Sequence, residues 1–427
     1  MRVRPWLSLG ALLLTACFVE DTPPEEEASG STGGTTAPPG SSDSVKPPAD
    51  STTAPGSTGD MTGSSGGDST TGEADETTAA GDWWDPAWSR RYAFSFNNGG
   101  PDVGLTDVPV LVVLTPARVD YAETEADGVD LRFVADDGQT VLDHEIETWS
   151  PGGESTVWVR VPTLELAAGN DRIYLYTGNP AAEPAENAAG VWSNGYGAVF
   201  HLNDDLGEDA TMAHNSVGPG GSVEGTMSGD DSVAGQIGRA FAFDGDNDMV
   251  TFDLDVAGAT EISLEGWTRQ SAPDNGYLLS LCDLTGRSPN FGLRRNAVLS
   301  VESGDARFSL ETDAQSTVTL GAETPLDSWS YLALSWRGSE ATMSAYVDGV
   351  PEAPDAVNGT SLEPGDTTWV IANSGADFGG TMQSRFLAGQ VDEVRVSTVA
   401  RAPSWVAAQY LSMTDGLISY GQAETLR

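Results

Sequence analysis

From Trp83 onward the chain is a succession of short runs of alternating or β-branched residues bounded by glycine, proline, aspartate or asparagine, and this punctuation most limits what it can become. Runs at Val108 to Leu114, Val129 to Val134, Val141 to Thr148, Thr156 to Val161 and Arg172 to Thr177 recur at the spacing of an all-β sandwich, and no useful helical period interrupts them. Further on, "YLALSW" and "ATMSAYV" flank "RGSE" as antiparallel partners, and Asp348-Gly349 closes an alternating run with hairpin chemistry. Candidate strands at Ala297 to Glu302, Arg307 to Glu311 and Thr317 to Leu320 bring the count to that of two packed sheets. The expectation is an all-β chain with two β-sandwich domains, at 83–197 and 198–427.

Residues 18–82 read differently. They are Ser, Thr, Gly and Pro with acids, and from Glu20 to Asp82 Met61 is the sole large apolar residue. Such a segment cannot bury enough surface to offset its ordering entropy, so a disordered acidic linker is expected. A coil of this length spans on the order of 40 to 45 Å, enough to hold a folded cargo clear of a surface. The whole chain has 64 acids against 20 bases, a net charge of -44, and only 13 of those acids lie in 18–82. A surface this negative repels nucleic-acid backbones, which excludes them as partners, and attracts divalent cations. Lys46 is the only lysine, so catalysis by a buried amine is excluded. There are two cysteines, Cys17 and Cys282. If Cys17 is modified, Cys282 has no intramolecular partner, and a buried inert thiol is expected there.

The N-terminal stretch carries Arg2 and Arg4, then an apolar run from Trp6 to Leu14, then Leu14-Thr15-Ala16-Cys17. The last four residues resemble the bacterial lipobox. By that resemblance residues 1–17 are a lipoprotein signal peptide with its lipobox, and the Cys17 sulfur takes a diacylglycerol. With the acyl chain added to the freed amine, two hydrophobic insertions supply stable anchoring. Phe18 after the cysteine points toward the outer membrane or cell surface. Secretion with Cys17 discarded is the alternative.

Between Trp83 and Gly197, "DVPVLVVL", "DGVDLRFVADDG", "LDHEIETW", "TVWVRVPTL" and "RIYLYTGNPAA", preceded by Trp83, Trp88 and Arg90, together resemble the exported β-domain catalogued as domain-of-unknown-function family 2341. That family implies a fold and no activity. From Ala198, "GAVFHLNDDLGEDATMAHNSVGPGGSVEGTM", "GRAFAFDGDNDMVTF", "ISLEGWTR" and "FLAGQVDEVRVSTVARAPSWVAAQY" resemble in their order the LamG-like jelly roll of the concanavalin A-like superfamily. The closing stretch looks like the tail found when both domain types share a chain, a short helix and a last strand. Pro403 suits the first turn of that helix, and Trp405, Val406 and Tyr410 recur about once per turn.

Catalytic chemistry finds little support. Glycoside hydrolases of this superfamily carry E-x-D-x-x-E, which is absent, and adjacent Asp392 and Glu393 are expected on opposite faces of a strand. "HEIETW" places Glu145 and Glu147 on one face, in a segment that the resemblance explains as an ordinary strand. His144, His201 and His214 fall in no zinc motif and are expected to be neutral and structural. Neither a G-x-S-x-G elbow nor a nucleotide-binding loop occurs, so nucleotide is excluded as a partner and no catalytic residue is assigned.

The jelly-roll resemblance implies one Ca2+ where the loop after the first strand meets the "G-x-V-D-E-V" strand. Here Asp209 and Asn215 would come from that loop and Asp392 from the strand, with oxygen ligands that suit a hard cation. Asp244, Asp246 and Asp248 are read as a solvated hairpin turn. Trp267 and Trp336 are read as core, while Trp83, Trp84 and Trp88 either staple the first strand or stack on a sugar. The resulting expectation is a surface-anchored, non-catalytic adhesion lipoprotein that recognises a glycan or an extracellular protein through its jelly roll. The alternatives are a structural spacer of the envelope and, behind it, a polysaccharide hydrolase.

Overall fold

The computed structural model describes residues 83–427 except 97–103, 166–170, 208–210, 226, 228–230, 273–275, 284–293, 303, 315, 363–366, 374–385 and 427. Cys17 and the acidic linker lie outside the described residues, as does the side chain of Cys282.

Chain order begins with β1 (Arg90–Phe96), β2 (Gly104–Leu114), β3 (Arg132–Ala135), β4 (Val141–Leu142), β5 (His144–Thr148), β6 (Ser155–Glu165), β7 (Arg172–Thr177) and a single turn of helix, α1 (Ala188–Val191). There follow β8 (Tyr196–Phe200), β9 (Met212–Ala213), β10 (Gly221–Glu224), β11 (Ser232–Ala234), β12 (Arg239–Asp244), β13 (Met249–Asp253), β14 (Glu261–Gln270), β15 (Gly276–Asp283) and β16 (Arg294–Glu302). The chain ends with β17 (Asp305–Glu311), β18 (Ser316–Glu323), β19 (Ser330–Arg337), β20 (Thr342–Val347), β21 (Val350–Pro351), β22 (Asp355–Ala356), β23 (Thr368–Ile371), β24 (Ala388–Ser397), α2 (Pro403–Met413) and β25 (Ile418–Thr425).

The first sandwich packs a five-stranded sheet, β25-β1-β7-β3-β4, on a three-stranded one, β2-β6-β5. Alternation decides what each face meets. Val110, Val112, Val157 and Val159 turn one way and share a core with Phe94, Phe133 and Leu175, whereas Leu111 and Trp158 turn the other way. On the far face of the five-stranded sheet Trp83 and Trp88 cover Tyr176 and Val134. Trp83 meets Tyr176 edge-on at 5.4 Å, and the Trp88 indole N–H donates to Asp130 O at 2.7 Å. These two tryptophans are staples.

The second sandwich faces an eight-stranded sheet, β18-β17-β16-β15-β23-β13-β10-β9, against a nine-stranded one built on β11-β12-β24-β14-β19-β20-β21. Phe200, Phe252, Ile262, Leu264, Phe308, Leu334, Trp336 and Trp369 fill the space between them. At roughly 1.5–3 kcal/mol per fully buried large apolar side chain, this layer is the main stabilising term. The hairpin expected at Asp348-Gly349 is present, with φ of 50° and 74°, and Asp348 Oδ1 accepts from Tyr331 N at 2.8 Å.

The chain's end departs from the boundary expected at residue 198. α2 forms with Pro403 at its start, as read, but β25 does not join the second sandwich. It pairs antiparallel with β1, Arg90 opposite Thr425 and Phe96 opposite Ile418. The second sandwich is thus inserted into the first, between β7 and β25. α2 lies between the two: Ser412 Oγ accepts from Leu111 N at 2.7 Å on one side, and Tyr410 stacks on Trp267 at 5.7 Å on the other.

Candidate functional site at the junction of the two sandwiches

The outer face of the nine-stranded sheet is covered, and its central feature is a β-bulge in β24. Against β14, Arg395 pairs with Glu265 and Asp392 with Trp267, so three residue steps on β24 oppose two on β14. Glu393 takes up the extra residue at φ 53°. Paired residues share a face and residues two apart share a face, so Asp392, Glu393 and Arg395 all turn toward the first sandwich. The expectation that Asp392 and Glu393 point to opposite faces fails here, because it assumed an unbroken pleat. The opposite edge of β24 changes partner at the same place, from β12 up to Val391 to β8 from Val394. Ile237 N fills the gap by donating to Asp392 Oδ2 at 2.9 Å.

The first sandwich presents Glu145 and Glu147 to this bulge, on the face of β5 opposite His144. Phe200 ends β8 and His201 follows it directly into the junction. There His201 Nδ1 lies 2.6 Å from Glu393 Oε1 and 3.9 Å from Glu147 Oε2, while Nε2 lies 3.4 Å from Glu145 Oε2. Glu145 also accepts from the Trp192 indole at 2.6 Å and from the Ser216 hydroxyl at 2.7 Å. The Trp158 indole donates to Glu147 Oε2 at 2.8 Å. Arg395, sandwiched between Trp158 and Trp192 at 4.5 and 4.8 Å, bonds Glu393 Oε2 and donates to Gln409 Oε1 at 2.8 Å. Gln409 in turn donates to Pro109 O at 2.8 Å, which ties β24 to β2 through α2.

Burial and neighbouring charge split the ionisation of these groups. For His201, burial pulls the pKa down, but the Glu393 charge and the bonds to Glu145 and Glu393 carry it well above the usual histidine range. That direction favours the charged ring, whereas a neutral one was expected from the sequence. Burial pushes Glu145 up, yet its bond to His201 and the charge there bring it to about 2. Glu393 is lowered likewise, against burial, by His201 and Arg395. Glu147 goes the other way, to about 8, through burial first and the Glu393 charge second. Asp392 is raised for the same two reasons, with Glu147 adding to them.

A cleft of about 510 Å3 opens beside this network, lined by Glu145, Glu147 and Glu186 of the first sandwich and by His201, Asn203, Asp204 and His214 of the second. Glu186 and His214 are exposed at its rim. Of the residues expected to hold Ca2+, Asp209 lies outside the described residues. Asn215 is buried, its Oδ1 accepting from Val199 N at 3.0 Å and Val217 N at 3.2 Å. Asp392 sits in the bulge. Asp244 Oδ1 accepts from the amides of Asp246 and Asn247, at 2.7 and 3.3 Å, the arrangement of a tight turn. Trp267 and Trp336 are buried, as read. The residues that reading passed over are Glu145, Glu147, His201 and Arg395. One signal was available: Glu145 and Glu147 are paired acids on one strand face.

Residues 127–215 match the family described as Domain of unknown function (DUF2341), and residues 243–407 match the Concanavalin A-like lectin/glucanases superfamily. No curated protein matches the chain. Among solved structures, the receptor binding domain of a botulinum neurotoxin C/D mosaic serotype is similar at 12% identity and a TM-score of 0.35, with 51% of each chain covered. The chain thus spans about half the length of that domain. The botulinum neurotoxin serotype D binding domain is similar at 11% identity, 52% of each chain and a TM-score of 0.37. A heptameric SAP-like pentraxin from Limulus polyphemus is similar at 20% identity, 39% of this chain, 78% of its own and a TM-score of 0.32. Likeness at this distance carries no argument about ligands. The chain carries a DUF2341 segment followed by a concanavalin A-like segment, on an almost wholly β framework.

Proposed function

We propose that this chain is a non-catalytic binding protein, exported and held at the bacterial envelope by lipid on Cys17, that takes a glycan in the cleft between its two sandwiches. The cleft carries the reading. At about 510 Å3 it is of ligand size, and apart from Ile146 and Ala188 its lining residues, drawn from both sandwiches, carry hydrogen-bonding side chains. Carboxylates accept well from sugar hydroxyls, and Glu186 and Asp204 supply them beside Asn203 and His214. Glu145 and Glu147, the acid pair on one face of β5, do not meet a hydrolase's need for two carboxyl groups that reach substrate. Glu145 is saturated by Trp192, Ser216 and His201, and the Glu147 side chain is 0% exposed.

Glycan-array and envelope-polysaccharide retention by the full chain tests this. The Glu186→Gln/Asp204→Asn pair should lose retention while keeping its melting temperature. Retention unchanged in that pair overturns the cleft as the site, and no retention of any polysaccharide leaves the envelope-spacer reading in its place. Turnover of a retained polysaccharide would establish the hydrolase instead.

A further inference from the structure

Beside the cleft, which Glu147 and His201 line, one ligand atom each of Glu147, His201 and Glu393 lie within 4.8 Å of one another. Each of these side chains is also held by a neighbour outside the trio. Glu147 Oε2 accepts from the Trp158 indole at 2.8 Å, Glu393 Oε2 is bonded by Arg395, and His201 Nε2 lies 3.4 Å from Glu145 Oε2. His201 Nδ1 lies 2.6 Å from Glu393 Oε1 and 3.9 Å from Glu147 Oε2. Glu147 Oε1 is buried and has no hydrogen-bond partner among the described residues, and the same is true of Asp392 Oδ1 beside it. Unpartnered buried carboxylate oxygens are costly, and a native structure keeps them for a reason.

Charge points the same way. Among the described residues, the junction holds the carboxyl groups of Glu145, Glu147, Glu265, Asp392 and Glu393 against the cations His201 and Arg395. Uncompensated charge in such a place costs several kcal/mol per ion unless protons or a cation neutralise it.

We infer that Glu147, His201 and Glu393 form a binding site for a divalent first-row transition metal ion, which joins the two sandwiches. The donor set is one imidazole nitrogen and two carboxylates, which suits Zn2+ or Mn2+, whereas Ca2+ takes oxygen alone. It is thus a different set from Asp209, Asn215 and Asp392. The His201 contact to Glu145 is the outer carboxylate that a metal-binding histidine ordinarily has, fixing its ring and raising its basicity. Binding displaces the Nδ1 proton to solvent. The site draws on both sandwiches, with Glu147 from one and His201 and Glu393 from the other.

The full chain, stripped by chelator and dialysed separately against Zn2+, Mn2+ and Ca2+, should retain about one equivalent of a transition metal by elemental analysis, with a raised melting temperature. Glu147→Gln keeps the Trp158 bond and adds no charge. It should fold and bind the metal at least tenfold more weakly. X-ray absorption of the wild-type zinc form, which needs no variant, should show one nitrogen ligand with carboxylate oxygens at roughly 2.0–2.2 Å. Failure to retain a stoichiometric transition metal overturns the assignment. So do equal retention by wild type and Glu147→Gln, retention of Ca2+ alone, or an all-oxygen shell.

Discussion

His144 offers a direct test of how the first sandwich is held together. The side chain is 2% exposed, faces the core opposite Glu145 and packs on Phe133 with ring centroids 5.5 Å apart. Burial and then the Arg132 charge lower its pKa to about 4 from 6.5, against smaller opposing effects of the Leu142 backbone and Asp143. Above pH 6.5 the ring is neutral in both folded and unfolded chains, so it contributes nothing to pH dependence. As pH falls through 6.5 the unfolded chain takes up a proton that the folded chain refuses, and stability drops until about pH 4. A shift of about 2.5 units at about 1.36 kcal/mol each gives a loss of about 3.4 kcal/mol. For the roughly 300 described residues the unfolding entropy is roughly 0.6 kcal/mol per degree, so the loss corresponds to about 5 °C. His144→Phe keeps a ring against Phe133 and removes the titrating group. Thermal unfolding of both proteins should be followed from pH 7 to 4, where the carboxylates contribute alike and cancel in the difference. The wild type should fall about 5 °C further than the variant. Parallel curves would refute the claim that this ring is held neutral by its surroundings.

Other perturbations have equally definite outcomes. Arg395→Met removes the guanidinium between Trp158 and Trp192 and strands the Glu393 and Glu265 charges, which should cost about 3–5 kcal/mol in urea unfolding. Gly349→Val forces a branched residue to φ 74° and a Cβ to 2.9 Å from Tyr410 Cβ, so a loss of about 1–3 kcal/mol and a displaced α2, seen as faster amide exchange there, are expected. Cys17→Ala should move the exported protein from the detergent phase to the aqueous phase in a Triton partition, and continued partition into detergent would dismiss the lipid anchor.

Much of the framework could be read from period-two patterning, because most strands bury one face locally and turns such as Asp348-Gly349 announce themselves. The junction could not. Asp392 and Glu393 read as opposite-facing because nothing local marks a bulge. A glutamate at φ 53° bears no glycine signature, and what holds it there is Ile237, Glu265 and Arg395, all brought in by tertiary pairing. Glu145 and Glu147 share one face of what reads as an ordinary strand, and nothing local says what covers that face. It is covered by Trp192 and His201, more than forty residues on in the chain. Strand β25 was assigned to the wrong sandwich for a related reason: a terminal strand carries its own alternation and says nothing about which edge it will join.

The return of β25 to β1 also decides where mechanical load would go. Anything that pulls on the chain ahead of Arg90 draws β1 along its own length, while β25 grips one edge and β7 the other. Rows of bonds on both sides must slide together rather than open one after another. A pull from that side would therefore meet both rows at once, with the inserted module outside the loaded path.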